Sequence, residues 1–324
     1  MFHLLKSLKY TIYYYMLGTF GIIEDFFYRR YNKCELQNRT DEVAVITGGA
    51  RGIGAEVVKQ LLLCDMHVII GCRDVSKGTE MVRGLRAQGI TCGSTSILPL
   101  DMACLDSVKA FATAVLHSRP RLDLLINNAG IMFPPYSETV DGFESQWAVN
   151  YLGHFLLSHL LLPQLHRSPS NNPRIVNISS CAHHASFPID FSDINMKKHF
   201  ITQAAYAQSK LAQLMFTQLL HRELRAIDSR VSVVAAHPGI VDTDLFNGTL
   251  MKTVMPWAPG LLFKTPKEGA TTVMYAALHA RGGDYISNCR SVYMSTLARD
   301  KSKQKELFSY SLHSLGINSF GGLL

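Results

Sequence analysis

Residues 43–54 read VAVITGGARGIG, and the fold can be worked out from this stretch. Val43 to Ile46 is a short apolar run rich in β-branched side chains, the pattern of a strand buried on both faces. Glycines follow at positions 48, 49, 52 and 54, and from Ala55 the apolar spacing becomes helical. A strand that turns through glycines into a helix leaves the helix N-terminus at the mouth of the turn. Its unpaired N–H groups and positive dipole end stabilise a phosphate there. Gly48, Gly52 and Gly54, with Ile53 between the last two, let the backbone approach a dinucleotide pyrophosphate. The spacing, counted from Thr47, is T-G-x-x-x-G-x-G and departs from the more general G-x-G-x-x-G.

Downstream, strands and helices alternate. His67–Cys72 reads as a second strand, ending in Arg73 where an acidic residue would hold a ribose 2′-hydroxyl. Arg73, with Arg51 inside the glycine turn, favours a 2′-phosphate, because guanidinium–phosphate bonds are charge-assisted. NADP(H) is therefore expected over NAD(H), with Asp74 as the residue that would favour NAD(H). Ser96–Leu100 is a third strand leading into Asp101, and Leu122–Ile126 a fourth leading into Asn127, Asn128, Ala129 and Gly130. A helix is expected from Thr139 to Leu162, stopped by Pro163 and carrying Asn150. Arg174–Ser179 is a fifth strand with Ser180 at its end, Val231–His237 a sixth running into Pro238, Gly239 and Thr243, and Asp284–Met294 a seventh. Helices are expected over Ala204–Leu219 and Lys267–Ala280. This alternation gives an α/β fold: a doubly wound parallel sheet of the Rossmann type, about seven strands, helices on both faces, one domain over 41–298. Residues 299–324 are expected to form a short helix and a loose end.

Tyr206 and Lys210 are four apart in a helical run, which puts both on one face. A free tyrosine, with a pKa near ~10, is a poor acid–base group at neutral pH and needs a neighbouring cation to favour its phenolate. Lys210 is placed to supply one, and Ser180 to polarise a substrate oxygen. His237 is tempting as an acid, but a tyrosine already fills that role.

The glycine turn, the Asn-Asn-Ala-Gly string, and the Tyr206/Lys210 pair following NISS and embedded in YAQSKLAQLMF resemble the short-chain dehydrogenase/reductase family over about Asp41 to Met294. The likeness is greatest to its membrane-associated, retinol-dehydrogenase-like branch and the X-linked dehydrogenase/reductase subgroup. The resemblance implies a catalytic set of Asn150, Ser180, Tyr206 and Lys210, in which Asn150 holds a water of the proton relay and Lys210 also bonds the nicotinamide ribose. It further implies that Thr47 is structural, that Asp101 meets the adenine, that Asn128 steadies the sheet beside the cofactor, and that Pro238, Gly239 and Thr243 meet the nicotinamide carboxamide. Ser180 and Tyr206 stand 26 positions apart, about twice the separation in compact members. The extra stretch, Phe187–Phe200, is expected to be a surface excursion.

The first forty residues differ from the rest. Lys6 and Lys9 precede an uncharged run from Tyr10 to Ile23, 14 residues long, interrupted by Glu24 and Asp25 and closed by Arg29, Arg30 and Lys33. That is short of the ~20 apolar residues needed to span a bilayer. Aromatic rings with flanking cations suit a hydrophobic helix lying in the headgroup region; a packed helix and a cleaved signal peptide are the alternatives. If the segment is only an anchor, deleting Met1 to Arg30 spares turnover on a soluble substrate.

The apolar stretch from Leu245 to Phe263 corresponds in the family to a substrate lid, and its composition points to a lipophilic substrate. The charge of +7 comes from scattered cations and shows no stripe of the kind nucleic acid requires. Seven cysteines without a C-x-x-C pair suit reduced thiols in a cytosol-facing chain, and no metal-ligand spacing occurs. The expected protein is an oxidoreductase of the endoplasmic reticulum membrane or lipid droplet, with a membrane surface as partner and a homodimer compatible with the reading. The competing readings are a catalytically silent cofactor-sensing scaffold and a membrane-binding module.

Overall fold

The computed structural model describes residues 2–119, 121–243 and 262–324. The apolar runs form one sheet from β1 (Val43–Thr47), β2 (His67–Cys72), β3 (Ser94–Pro99), β4 (Leu124–Asn127), β5 (Arg174–Ile178), β6 (Ser232–His237), β7 (Tyr285–Ser287) and β8 (Arg290–Ser291). Their order is β3-β2-β1-β4-β5-β6-β7-β8. Every pairing is parallel except β7 with β8, which is antiparallel. The eighth strand arises because the single expected strand over 284–294 folds back on itself at Asn288 and Cys289, both with positive φ.

Successive strand residues point to opposite faces, so each strand feeds two cores. Val43, Val45, Leu125, Ile175 and Val233 pack on one face, and Ala44, Ile46, Leu124, Ile126 and Val176 on the other. The chain lays down β1 to β3 in one direction and then returns to place β4 on the other side of β1. The crevice at the C-terminal ends of β1 and β4 is the switch point where such sheets bind ligands.

The helices before β6 are α1 (Phe2–Tyr28), α2 (Gly52–Leu63), α3 (Val75–Ala87), α4 (Leu105–Ser118), α5 (Ser145–Trp147), α6 (Gly153–His166) and α7 (Thr202–Ala226), with a π-helical turn at Ala148–Leu152 joining α5 to α6. The helix expected from Thr139 starts only at Ser145. Gly142 takes φ +79° in a turn, and the Glu144 carboxylate caps the helix by accepting from the Trp147 N–H at 2.8 Å. Pro163 does not stop α6, which runs on to His166. The lost backbone bond is outweighed by burial of Leu161, Leu162 and Leu165 on either side of it.

Residues 187–200 form no helix or strand, as expected of an excursion. They are nonetheless held by Asn195, which accepts from the Glu144 N–H at 2.8 Å. The tail departs from expectation. Lys301–Leu315 is a 15-residue helix capped by Asp300 at its start and by left-handed Gly316 at its end. Beyond it Phe320 is fully buried among Phe155, Phe216 and Phe308 at centroid distances of 4.9, 5.8 and 5.4 Å. The sequence shows helical spacing poorly there because many of the helix's residues are polar and face solvent.

Candidate active site

A cleft of about 500 Å³ opens at the switch point, lined by Gly48, Arg51, Gly52, Ile53, Gly54, Arg73, Asp101, Asn128 and Thr243 among others. Gly48 has φ +68°, and a Cβ on it would lie 3.0 Å from Ala129 Cα; a Cβ on Gly54 would lie 2.2 Å from the Gly48 carbonyl oxygen. At Gly52 the space is open, with Thr243 Cγ2 the nearest atom at 3.5 Å, and φ is +55°. These glycines therefore keep side chains out of a cradle at the start of α2, and its N–H groups complete the fit to a dinucleotide phosphate.

The cradle is tied to β4. Asn128 Nδ2 donates to the Thr47 and Gly48 carbonyls at 2.9 and 3.2 Å, and Thr47 Oγ1 accepts from the N–H groups of Asn128 and Ala129 at 3.0 and 2.9 Å. Thr47 Oγ1 also meets His154 Nε2 at 2.9 Å, leaving His154 Nδ1 to bond the Asn150 carbonyl at 3.1 Å. Burial pushes the His154 pKa down to about 3. At the far end, Arg51 and Arg73 are exposed, and Asp74 caps α3 by accepting from the Lys77 N–H at 3.1 Å. Its carboxylate also pairs with Lys77 Nζ at 3.6 Å. Lys77, absent from the sequence reading, lines the same cleft one helical turn along from Arg73.

A second cavity, also about 500 Å³, is lined by Ser180, Tyr206 and Lys210 among others. Ser180 follows the end of β5, and its hydroxyl accepts from the Ala182 N–H at 3.2 Å. Tyr206 and Lys210 come off the buried face of α7. Tyr206 is buried, and burial outweighs the lowering influence of the neighbouring Ser180 hydroxyl and raises the tyrosine pKa above its ordinary value. Lys210 Nζ donates to the Ile178 carbonyl at 2.9 Å and stands 5.6 Å from the Tyr206 ring centroid, so its charge faces the ring. The expected lowering of the tyrosine pKa is therefore absent from this geometry. Burial brings Lys210 itself down to about 8.

Asn150 lies in the π-helical turn, fully buried. Its side chain accepts from the Ile131 N–H at 2.9 Å and donates to the Ile131 carbonyl and Ser209 Oγ, both at 3.0 Å. It thus braces the segment after Gly130 against α7. His183 is also fully buried: Nδ1 bonds the Ser180 carbonyl at 2.7 Å and Nε2 accepts from the Ser295 N–H at 3.1 Å. Cys181 lines the cavity with its thiol pushed up to about 12 by burial, which keeps it a poor nucleophile.

Pro238, Gly239 and Thr243 border this cavity, as do Phe133, Phe263 and, from α1, Tyr14, Leu17, Gly18 and Ile22. The α1 residues were not named in the sequence reading, which took the segment as an anchor with a packed helix as one alternative. Tyr14 stacks edge-on against Phe133 at 5.5 Å, and Phe133 against Tyr206 at 5.5 Å. Most of the expected lid, residues 244–261, lies outside the described residues. Of its two described residues, Leu262 is exposed and Phe263 is buried.

A Rossmann sheet whose switch-point crevice abuts a part-buried serine and a buried tyrosine and lysine is the arrangement of a nicotinamide-dependent oxidoreductase. The family model for short chain dehydrogenases matches residues 42–252, and the chain belongs to that family. Human retinol dehydrogenase 11 is 38% identical over 282 residues, covering 85% of this chain and 86% of its own. Polyprenol dehydrogenase of Danio rerio is 35% identical over 325 residues, covering 98% and 100%. Among solved structures, an uncharacterized protein from Mycobacterium Paratuberculosis superposes with a TM-score of 0.71 at 32% identity, covering 88% of this chain and 97% of its own. A blue fluorescent protein from a metagenomic library, in complex with NADPH, superposes with a TM-score of 0.56 at 26% identity, covering 74% and 92%. The chain is an NAD(P)-dependent short-chain alcohol dehydrogenase or carbonyl reductase.

Proposed function

We propose that this enzyme interconverts a lipophilic alcohol with its aldehyde or ketone, the substrate being an isoprenoid of the polyprenol type or a retinoid in preference to a steroid, and that it prefers NADP(H). One observation carries the reading: the glycine-lined cleft and the cavity holding Ser180 and Tyr206 share Ile53, Asn128, Gly130, Ile131 and Thr243 as a common wall. A dinucleotide in the first thus ends beside the reacting groups of the second. The names of the relatives support the substrate class, and the apolar side chains of Leu17, Ile22, Phe133 and Phe263 support a greasy occupant.

Bound there, the nicotinamide supplies hydride exchange with the substrate carbon. Gly48, Gly52, Ile53 and Gly54 would receive the phosphates, Asp101 would meet the adenine, Asn128 would steady the sheet beside the nucleotide, and Pro238, Gly239 and Thr243 would meet the nicotinamide. Arg51 and Arg73 are set for a 2′-phosphate, and the engagement of Asp74 with Lys77 supports that preference. Tyr206 donates a proton to the carbonyl oxygen while Ser180 holds that oxygen. A raised pKa keeps the phenol protonated through neutral pH, and the alkoxide it meets is far more basic, so donation runs downhill. Lys210 resupplies the proton, with Asn150 holding the segment beside it in place.

The outward face of α1 exposes Ile12, Met16, Phe20, Ile23 and Phe27 between Lys9 and the Arg29, Arg30, Lys33 cluster. No described helix is long and apolar enough to cross a membrane. The helix instead suits the surface of an anionic bilayer, with the catalytic domain on the cytosolic side of the endoplasmic reticulum or a lipid droplet.

The test is nucleotide oxidation by purified full-length protein with NADPH or NADH and detergent-dispersed retinal, a polyisoprenoid aldehyde or a steroid ketone. NADPH with an isoprenoid or retinal is expected to turn over, and Tyr206→Phe to lower kcat by about 10²–10⁴-fold. Nucleotide binding with no turnover on any of the three would favour the silent scaffold.

A further inference from the structure

We infer that Asp25, on the N-terminal helix, is a positioning residue that fixes the Pro238–Ile240 turn through a buried ion pair with Lys264. The inference rests on the proposed reading, in which that turn borders the nicotinamide.

Tyr10, Tyr14, Leu17, Gly21 and Asp25 recur at spacings of three and four, one stripe of α1. Tyr10 is buried and its hydroxyl donates to the Ala185 carbonyl at 2.9 Å. Gly21 marks a close approach, since a Cβ there would sit 3.2 Å from Ile240 Cδ1 and 3.4 Å from Cys181 Sγ. One turn on, Asp25 is 5% exposed and Lys264 2%. Asp25 Oδ2 accepts from the Ile240 N–H at 2.8 Å, while Oδ1 accepts from Asn288 Nδ2 at 3.0 Å and pairs with Lys264 Nζ at 3.0 Å. Lys264 Nζ also donates to the Pro238 carbonyl at 3.4 Å.

The two backbone groups flanking Gly239 are thus both held by this pair. Gly239 itself, at φ +95°, leaves room for it: a Cβ would lie 2.7 Å from Asp25 Oδ2 and from Lys264 Nζ. Burying two charges is a poor way to gain stability alone, because desolvation consumes most of the attraction; what such a pair does well is hold one arrangement. Here the arrangement is a turn whose front borders the catalytic cavity and whose back is gripped by a helix from the other end of the chain. Docking of α1 and the shape of the nicotinamide end become one equilibrium. Deletion of residues 1–30, which the sequence suggested would spare turnover on a soluble substrate, strands Lys264 and frees the turn.

The test uses full-length Asp25→Ala/Lys264→Met, which has neither buried charge, beside Asp25→Asn/Lys264→Met, which restores an acceptor for the Ile240 N–H. In nucleotide-free protein the Ile240 amide is expected to exchange at least tenfold faster in the alanine pair and near the wild-type rate in the asparagine pair, with Val45 unchanged in both. The Kd for NADPH should rise about tenfold in the alanine pair, with a smaller loss in kcat at saturating NADPH. Wild-type exchange and NADPH affinity in a folded alanine pair would overturn the assignment. Should that pair not fold, Asn288→Ala decides, with at least threefold faster Ile240 exchange expected and an unchanged rate refuting. If the wild type fails to bind NADPH, the functional reading falls, while the exchange rates still decide the clamp.

Discussion

Mild acid should destabilise this protein well before its carboxylates titrate. His154, His183 and His237 are buried, and burial lowers their pKa values to about 3, about 3 and about 4. Each folded-state value lies below the ~6.5 of an exposed histidine, so the unfolded chain takes up the proton first. The stabilisation is full above pH 6.5 and is lost as the pH falls through that value toward the folded-state pKa. Between pH 7 and 5.5 each histidine costs a little over 1 kcal/mol and the three together about 4 kcal/mol, a large part of the 5–15 kcal/mol typical of a domain. Buried Glu144, whose pKa is raised mainly by burial, works in the opposite sense. Urea unfolding at the two pH values, followed by the fluorescence of fully buried Trp147, measures the difference. His183→Gln should shrink the loss to about 2.5 kcal/mol, since one of three titrations is gone. A loss under about 1 kcal/mol in the wild type would refute the reasoning.

Gly54→Ala puts a methyl 2.2 Å from the Gly48 carbonyl oxygen, so the cradle must shift by about 1 Å; NADPH affinity measured by calorimetry is expected to fall about 100-fold. Arg73→Glu should raise the ratio of the NADPH to the NADH dissociation constant at least tenfold, through loss of a phosphate partner and gain of a ribose acceptor; an unchanged ratio would remove Arg73 from the cofactor site. Phe320→Ala empties a fully buried ring position and should cost about 3–5 kcal/mol in denaturant unfolding, whereas a disordered tail would cost nothing.

The glycine turn and the strand ends around it were legible because a parallel sheet writes each buried strand as a contiguous apolar run. Tyr206 and Lys210 were legible because their spacing sits on one helix. Residues whose roles depend on distant partners were harder to read. Asp25 looks in sequence like a charge that breaks an apolar run, and only the fold brings Lys264 and Asn288 to it. His183 gains its role from the Ser295 amide. The start of α5 was hidden by Gly142 and Glu144, which resemble helix interior until the turn before them is seen. The length of the tail helix and the docking beyond it were hidden because its burial depends on a few residues, chiefly Leu307 and Ser311, with Phe320 beyond its end.

The grip on Asp25 also has a consequence during synthesis. Asn288 lies 263 positions after its carboxylate partner, and ribosomes add about 5–20 residues per second. Helix α1 therefore waits roughly 10–50 s for its last partners to emerge. Throughout that interval its acidic residue lacks the full set of partners that the folded chain gives it. The order of translation completes the inner contacts of α1 last.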